Sequence, residues 1–256
     1  MINSATLKIS IITVCYNSEK TIETTIQSVI SQDYPNIEYI IVDGKSKDGT
    51  MDIVNKYKEN IAKSISEPDK GLYDAMNKGI DMATGSIIGI LNSDDLFFSN
   101  STISEIAAAF EGSRQVDAVY GNITFFKGDA TEDRIRTWIT KPYYPKFFDH
   151  GEVPPHPALF VKKSVYDVIG AYFASFKLAS DYEFMLRAFK VHGYTPLHLD
   201  QIIVKMRMGG ESTKSFKNTI IANKEVSASW KMNNIKPPAY FWMLRIGKKI
   251  LQYINR

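Results

Sequence analysis

Between residues 8 and 92, runs of β-branched residues alternate with segments of helical period, and this alternation limits the fold more than any other feature. "KISIITV" (8–14), "IEYIIVD" (37–43), "AKSISE" (62–67) and "SIIGILN" (86–92) read as strands. Between them, residues 18–32 place Ile22, Ile26, Val29 and Ile30 on one helical face. Residues 49–60 follow Asp48 as an N-cap, and residues 72–84 run to Gly85. The order β-α-β-α-β-α-β predicts a parallel sheet with helices on both faces, because parallel neighbours need a crossover between them. A helix at 101–111 and a strand at 116–121 extend it.

Beyond residue 121 the pattern changes to α+β. "NITFFKG" (122–128), "RIRTWI" (134–139), "HPALFVKK" (156–163) and "PLHLDQIIVKM" (196–206) read as strands. "SDYEFMLRAFKVHG" (180–193) reads as a helix with Phe184, Met185, Ala188 and Phe189 inward. Pro237 and Pro238 divide two further helices, 214–234 and 238–254. The reading is therefore a nucleotide-binding half (1–121), a second half (122–213) and C-terminal helices (214–256).

A chain of 256 residues, 44% of them hydrophobic, can bury one large core or two small ones. Its single cysteine, Cys15, lies in an apolar run and excludes an internal disulfide framework. No basic region followed by an apolar stretch opens the chain, and no window holds 18 uninterrupted apolar residues. The expectation is a cytoplasmic protein. Charge is uneven: residues 1–200 carry 20 Lys/Arg and 26 Asp/Glu, whereas residues 201–256 carry 11 and 2, a net +9. There the cations interleave with "YFWMLRIGKKILQYI", a pattern suited to a bilayer surface and not to nucleic acid. Phe241, Leu244, Ile250, Leu251 and Ile254 can share an apolar face bordered by Arg245, Lys248, Lys249 and Arg256.

In open parallel sheets ligands bind beyond the carboxyl ends of the strands. Those ends read "TVCYN", "VDGKSKDGT", "SEPDKG" and "LNSDD", each with an acidic, amide or glycine-rich turn. Asn17, Asp48 and Asp69 suit turns and caps as well as ligands. Asp94 and Asp95 pose the sharper question, since adjacent carboxylates at the end of a buried strand need a counter-charge.

These fragments, with "EPDKGLYDAMNKGIDMATG" (67–85), stand in the order and spacing of the family 2 glycosyltransferases, which the chain resembles over residues 8–215. "DKGLYDAMNKG" is similar to the branch that builds bacterial surface polysaccharides, including colanic-acid and O-antigen enzymes. The resemblance implies a glycosyltransferase A-type fold, with a Rossmann-like nucleotide-sugar sheet merged with an α+β acceptor-binding half. It implies Asp95 as principal ligand of Mg²⁺ or Mn²⁺, with Asp94 on the ribose or metal side. A hard cation bound to one or two carboxylates and to phosphate oxygens suits such a pair. It further implies that Asp43 accepts a hydrogen bond from the base N3–H, that Thr13, Tyr16 and Asn17 flank the base, and that Asp69, Lys70, Gly71 and Asn77 border the donor pocket. Met76 departs from the pattern, where many relatives place an arginine before the Asn, so that contact to the nucleotide sugar is either missing or supplied by Lys70 or Lys78.

The acceptor hydroxyl needs a base. The resemblance carries that role to Asp181 in "ASDYEF", a position that also suits a helix N-cap, as does Ser180. Glu183 and Glu211 are the next candidates. His156 in "PPHPALF" is assigned to the substrate site, and Gly209, Gly210 and Ser212 to a loop closing over the diphosphate. Together these imply an inverting, metal-dependent transfer from a nucleoside-diphosphate sugar, most simply a UDP-sugar, to a glycan or lipid-linked oligosaccharide at the inner face of the cytoplasmic membrane. A nucleotidyltransferase and a non-catalytic nucleotide-sugar-binding module are the alternatives. The former expects a Gly-rich phosphate loop after strand one, which "TVCYNSEKT" lacks.

Overall fold

Strand register sets the chemistry of one sheet edge in this computed structural model, which describes residues 6–113, 115–128, 130–208 and 216–254. β1 (Ile9–Cys15) pairs in parallel with β2 (Ile37–Asp43), and β2 with β3 (Lys63–Ser66). Cys15 thereby lies opposite Asp43, and Asp43 opposite Ser66. β4 (Ile87–Ile90) flanks β1 on the other side. All four strands end on one rim, as the βα alternation predicts.

Successive side chains of a strand face opposite ways. Ile12 and Val14 therefore join the core under α3 (Leu72–Met82), while Ile9, Ile11 and Cys15 join the core under α1 (Ile22–Ile30), α2 (Thr50–Lys56) and α4 (Thr102–Glu111). In α1, Ile22, Ile26 and Val29 are buried, each contributing roughly 1.5–3 kcal/mol by transfer from water. Ile30, predicted on the same face, is exposed at the helix's last turn.

The remainder departs from a purely parallel sheet. β8 (Leu159–Lys162) inserts antiparallel beside β4. It is followed by β6 (Ala118–Lys127), then β9 (Pro196–Arg207), then the two-residue β5 (Leu96–Phe97); β7 (Ala130–Trp138) pairs with the far half of β6. Among the described residues this is one nine-stranded sheet. Residues 116–121 and "NITFFKG" are thus one strand, and the predicted boundary at 121/122 falls inside it. Gly89 permits the insertion. It is opposite Phe160, and a Cβ there would lie 2.3 Å from the ring.

α5 (Lys163–Ile169), absent from the sequence reading, follows β8 directly. The predicted helix at 180–193 is α-helical only over α6 (Ser180–Met185) and widens to a π-helix over Leu186–Val191. Phe184, Met185, Ala188 and Phe189 are buried as expected. α7 (Phe216–Met232) and α8 (Phe241–Ile254) flank the two prolines. Phe241 packs on Trp230, and the Arg245 guanidinium lies 5.2 Å from the centre of the Tyr182 ring. Arg245 is therefore turned into the domain and does not border an outer apolar face. Met243 and Ile246 form the outward surface, 70% and 54% exposed. The side chains of Lys248, Lys249, Ile250, Leu251 and Ile254, and all of Arg256, Gly209, Gly210, Glu211 and Ser212, lie outside the described residues. No described helix is long and apolar enough to cross a membrane.

Candidate active site

Beyond the strand ends opens a cleft of about 580 Å³, within the range of small-ligand pockets. One wall comes from the ends of β1 and β4 and the start of α3. The other comes from the segments at 156–157, 177–181 and Met206. A hydrogen bond of 2.9 Å between the Ser18 and Ser93 hydroxyls ties the β1 and β4 loops together.

Six of the predicted residues line this cleft: Tyr16, Asp69, Gly71, Asp94, His156 and Asp181. Asp69 accepts the Gly71 N–H at 2.9 Å, a tight turn for which Gly71 adopts φ 124°. His156 meets the Tyr172 hydroxyl at 3.2 Å through Nε2, and burial pushes its pKa down, so it faces the cleft as a neutral ring. Asp181 sits in the first turn of α6, where its Oδ1 accepts the Tyr73 hydroxyl at 2.9 Å.

The other six are placed elsewhere. Thr13 points to the α1 side of the sheet, buried, with the Tyr39 hydroxyl at 3.1 Å. Asn17, at φ 50°, takes the Lys47 N–H on its side-chain oxygen and so fastens the β2 loop to the β1 loop. Asp43 is fully buried. Its oxygens accept the Ser46 N–H at 3.0 Å, the Ser46 hydroxyl and the Ser66 hydroxyl at 2.6 Å, because the turn folds Ser46 back and the β2–β3 register brings Ser66 alongside. Asn77 clasps the main chain of Tyr172 with both ends of its amide, at 2.8 and 3.0 Å. The Lys70 side chain is exposed and outside the lining, and Lys78 is held by Glu67 at 2.8 Å and by the Pro68 carbonyl. Neither lysine is among the residues that line the cleft. Met76 lines the cleft with a thioether, and among the described lining residues Lys177 is the cationic one.

Asp95, expected as the principal metal ligand, is not among the residues that line the cleft. It is 1% exposed, accepting the Asn92 amide at 3.0 Å and the Arg207 N–H at 3.2 Å, while Asp94 lines the cleft. Burial, then the charge of Asp94, push the Asp95 carboxyl up to about 8 against those two hydrogen bonds. Glu183 does not line the cleft and is buried against Arg187 at 3.0 Å and the Asn233 amide at 3.0 Å. Burial and the charge of Asp43 raise the Cys15 thiol, which remains S–H.

Three contributors carried no local signal. Tyr73 reads as an ordinary helical aromatic, and Lys177 as a surface lysine. Glu225, on α7, accepts the N–H groups of Lys177, Leu178 and Ala179 at 2.7, 2.8 and 2.9 Å, fixing the turn that delivers Asp181.

The sequence profile of the family described as Glycosyl transferase family 2 matches residues 10–168. An uncharacterized glycosyltransferase of Mycobacterium tuberculosis is 35% identical over 184 residues, 70% of this chain and 68% of the relative. A UDP-Glc:α-D-GlcNAc-diphosphoundecaprenol β-1,3-glucosyltransferase of Escherichia coli is 39% identical over 99 residues, 38% of this chain and 39% of the relative. The mannosyltransferase of Pyrobaculum calidifontis, solved in complex with GDP-Man and Mn²⁺, superimposes with a TM-score of 0.69 at 18% identity, over 94% of this chain and 69% of that one. The fold is the glycosyltransferase A-type.

Proposed function

Because the chain belongs to Glycosyl transferase family 2 and is a glycosyltransferase using nucleotide-sugar donors, we propose that it transfers a sugar, with inversion, from a UDP-sugar to a hydroxyl of a glycan or lipid-linked oligosaccharide in surface-polysaccharide synthesis. The observation that carries this reading is the pair of carboxylates, Asp94 from the β4 loop and Asp181 from α6, lining one cleft. Asp181 takes the proton of the acceptor hydroxyl. The freed oxygen bonds to the anomeric carbon from the face opposite the diphosphate, and the bond from that carbon to the diphosphate oxygen breaks. Tyr16 and Asp69 border the donor on its open side, and Lys177 is placed to meet negative charge. The Escherichia coli relative, which by its name uses UDP-Glc and a diphosphoundecaprenol acceptor, supports both the base and the acceptor class.

The donor set fits a divalent cation in a limited way. Among the described residues no group of three or more His, Cys, Asp or Glu converges as a cage. Asp94 with the side-chain oxygens of Asn92 and Ser93 borders the cleft, and Mg²⁺ or Mn²⁺ commonly takes one carboxylate together with substrate phosphates. When bound, such an ion offsets the charge developing on the diphosphate. The exposed Met243 and Ile246 of α8 and the net +9 of residues 201–256 support peripheral attachment to the inner face of the cytoplasmic membrane, near a lipid-linked acceptor.

The test is Asp181→Asn. Calorimetry should find UDP-sugar affinity in Mn²⁺ unchanged, while release of UDP in the presence of acceptor falls roughly 10²- to 10⁴-fold. Near-normal turnover in a protein of unchanged melting temperature would place the base elsewhere.

A further inference from the structure

Tyr73 is the second residue of α3, just after Gly71 turns the chain at the mouth of the cleft. It is 4% exposed, yet it lines the cleft, and its hydroxyl reaches Asp181 Oδ1 at 2.9 Å across 108 residues of sequence. The ring is seated against Tyr172, with centroids 5.8 Å apart, and Tyr172 is in turn fixed by the Asn77 clasp and by Phe184. This phenol therefore has little freedom to move. Burial, then the negative charge of Asp181, push its pKa far up, so it remains O–H and can only donate to the carboxylate.

The carboxylate has two oxygens. Oδ1 is occupied by Tyr73, while Oδ2 has no hydrogen-bond partner among the described residues. The groups facing Asp181 are Tyr73 from α3, His156, Tyr172, and Arg245 from α8. His156 is neutral, the Tyr172 hydroxyl lies at 3.2 Å from His156 and 3.4 Å from the Tyr166 hydroxyl, and the Arg245 guanidinium rests on the Tyr182 ring.

We propose that Tyr73 is a positioning residue for the reaction. Its hydroxyl anchors Oδ1 of Asp181 so that Oδ2 faces the acceptor hydroxyl. The inference rests on the reading of Asp181 as the base. It has a consequence that a packing role lacks. Loss of the hydroxyl frees the carboxylate to rotate, which slows the proton transfer without touching donor affinity.

The experiment is a double-mutant cycle in the full chain with Tyr73→Phe, Asp181→Asn and the pair, reading kcat, KM and UDP-sugar Kd. Tyr73→Phe alone should lower kcat about 10- to 100-fold and leave donor Kd within about twofold. In the Asp181→Asn background the same change should cost less than about twofold, because the oxygen it orients no longer acts as a base. An equal loss in both backgrounds, or an unchanged kcat in the single variant, overturns the proposal while leaving Asp181 as base. Full activity of Asp181→Asn overturns both. Should Tyr73→Phe fold poorly, 3-fluorotyrosine introduced at position 73 alone keeps the ring and the donor; it should hold kcat within about threefold, and a loss of about tenfold or more counts against the proposal.

Discussion

Removing the Glu225 carboxylate should loosen the catalytic turn without emptying the donor pocket. The residue before α6, Ala179, makes no side-chain cap, and α6 is only six residues long, so the approach to Asp181 depends on support from outside the segment. Glu225 provides it through three N–H donors within 2.9 Å. A hydrogen bond to a charged acceptor contributes about 1.5–3 kcal/mol, and a stranded buried donor costs about 1–3 kcal/mol. Lys177 is exposed and its N–H can turn to water, whereas Ala179 is buried and Leu178 half-buried. Glu225→Ala therefore strands two donors, a destabilisation of about 3 kcal/mol. Glu225→Gln keeps one acceptor oxygen and should cost about half as much. With Asp181 two residues beyond Ala179, kcat should fall about 10- to 100-fold, since displacement of a group at the site by about 1 Å has that scale of effect. Denaturant unfolding, calorimetry of donor binding, steady-state turnover and amide exchange at residues 177–179 measure the terms separately. Unchanged exchange at those three amides with unchanged kcat in Glu225→Ala would refute the reasoning, whatever the melting temperature does.

The two adjacent carboxylates should separate cleanly. Asp94→Asn should abolish the enhancement of UDP-sugar binding by Mn²⁺, while Asp95→Asn, a neutral replacement inside the protein, should retain it in calorimetry; the reverse ranking would restore Asp95 as the principal ligand. Glu38, 3% exposed, opposes its burial with hydrogen bonds from Ser10, the Thr84 main chain and side chain, and Lys8, which hold its carboxyl well below the usual range, and Lys63 lies at 3.4 Å. Its contribution is complete above the unfolded value of 4.5, shrinks as pH falls below it and is gone only once pH passes below the folded-state value. Glu38→Gln should therefore cost about 2 kcal/mol in urea at pH 7 and progressively less as pH falls below 4.5, and a gap that does not narrow on acidification counts against it. A chain truncated before Pro237 should sediment less with anionic liposomes than the full chain, and equal sedimentation would remove the membrane role from α8.

Local periodicity carried the first half of the fold because each βα unit there is built from contiguous residues. Ile22, Ile26 and Val29 declare a buried face, and "IEYIIVD" a buried strand, with no knowledge of the rest of the chain. What lay beyond this was pairing at long range. Nothing within "HPALFVKK" says that it enters between β4 and β6, since that depends on the match of Phe160 with Gly89, 71 residues earlier. The same holds for the site. Asp69, Gly71 and Asp181 were legible as rim and helix-start residues. Tyr73 and Glu225 were not, because each acts on the 177–181 segment from another element of the fold.

The pair at 94 and 95 marks the limit most sharply. The sequence says that two neighbouring carboxylates end a buried strand, and electrostatics says that both cannot stay charged there without a partner. Neither statement decides which one faces the cleft, because the two follow β4 in a turn, closed by the Asp95 N–H on the Asn92 carbonyl at 3.1 Å, where strand alternation no longer sets side-chain direction. The fold decides it by where Arg207 comes to lie. β9 pairs with β5 and carries Arg207 to the β4 loop, so its main-chain N–H meets Asp95 and leaves Asp94 at the cleft. Burial and the neighbouring charge of Asp94 both disfavour the charged form of the Asp95 carboxyl, while Asp94 lines the cleft.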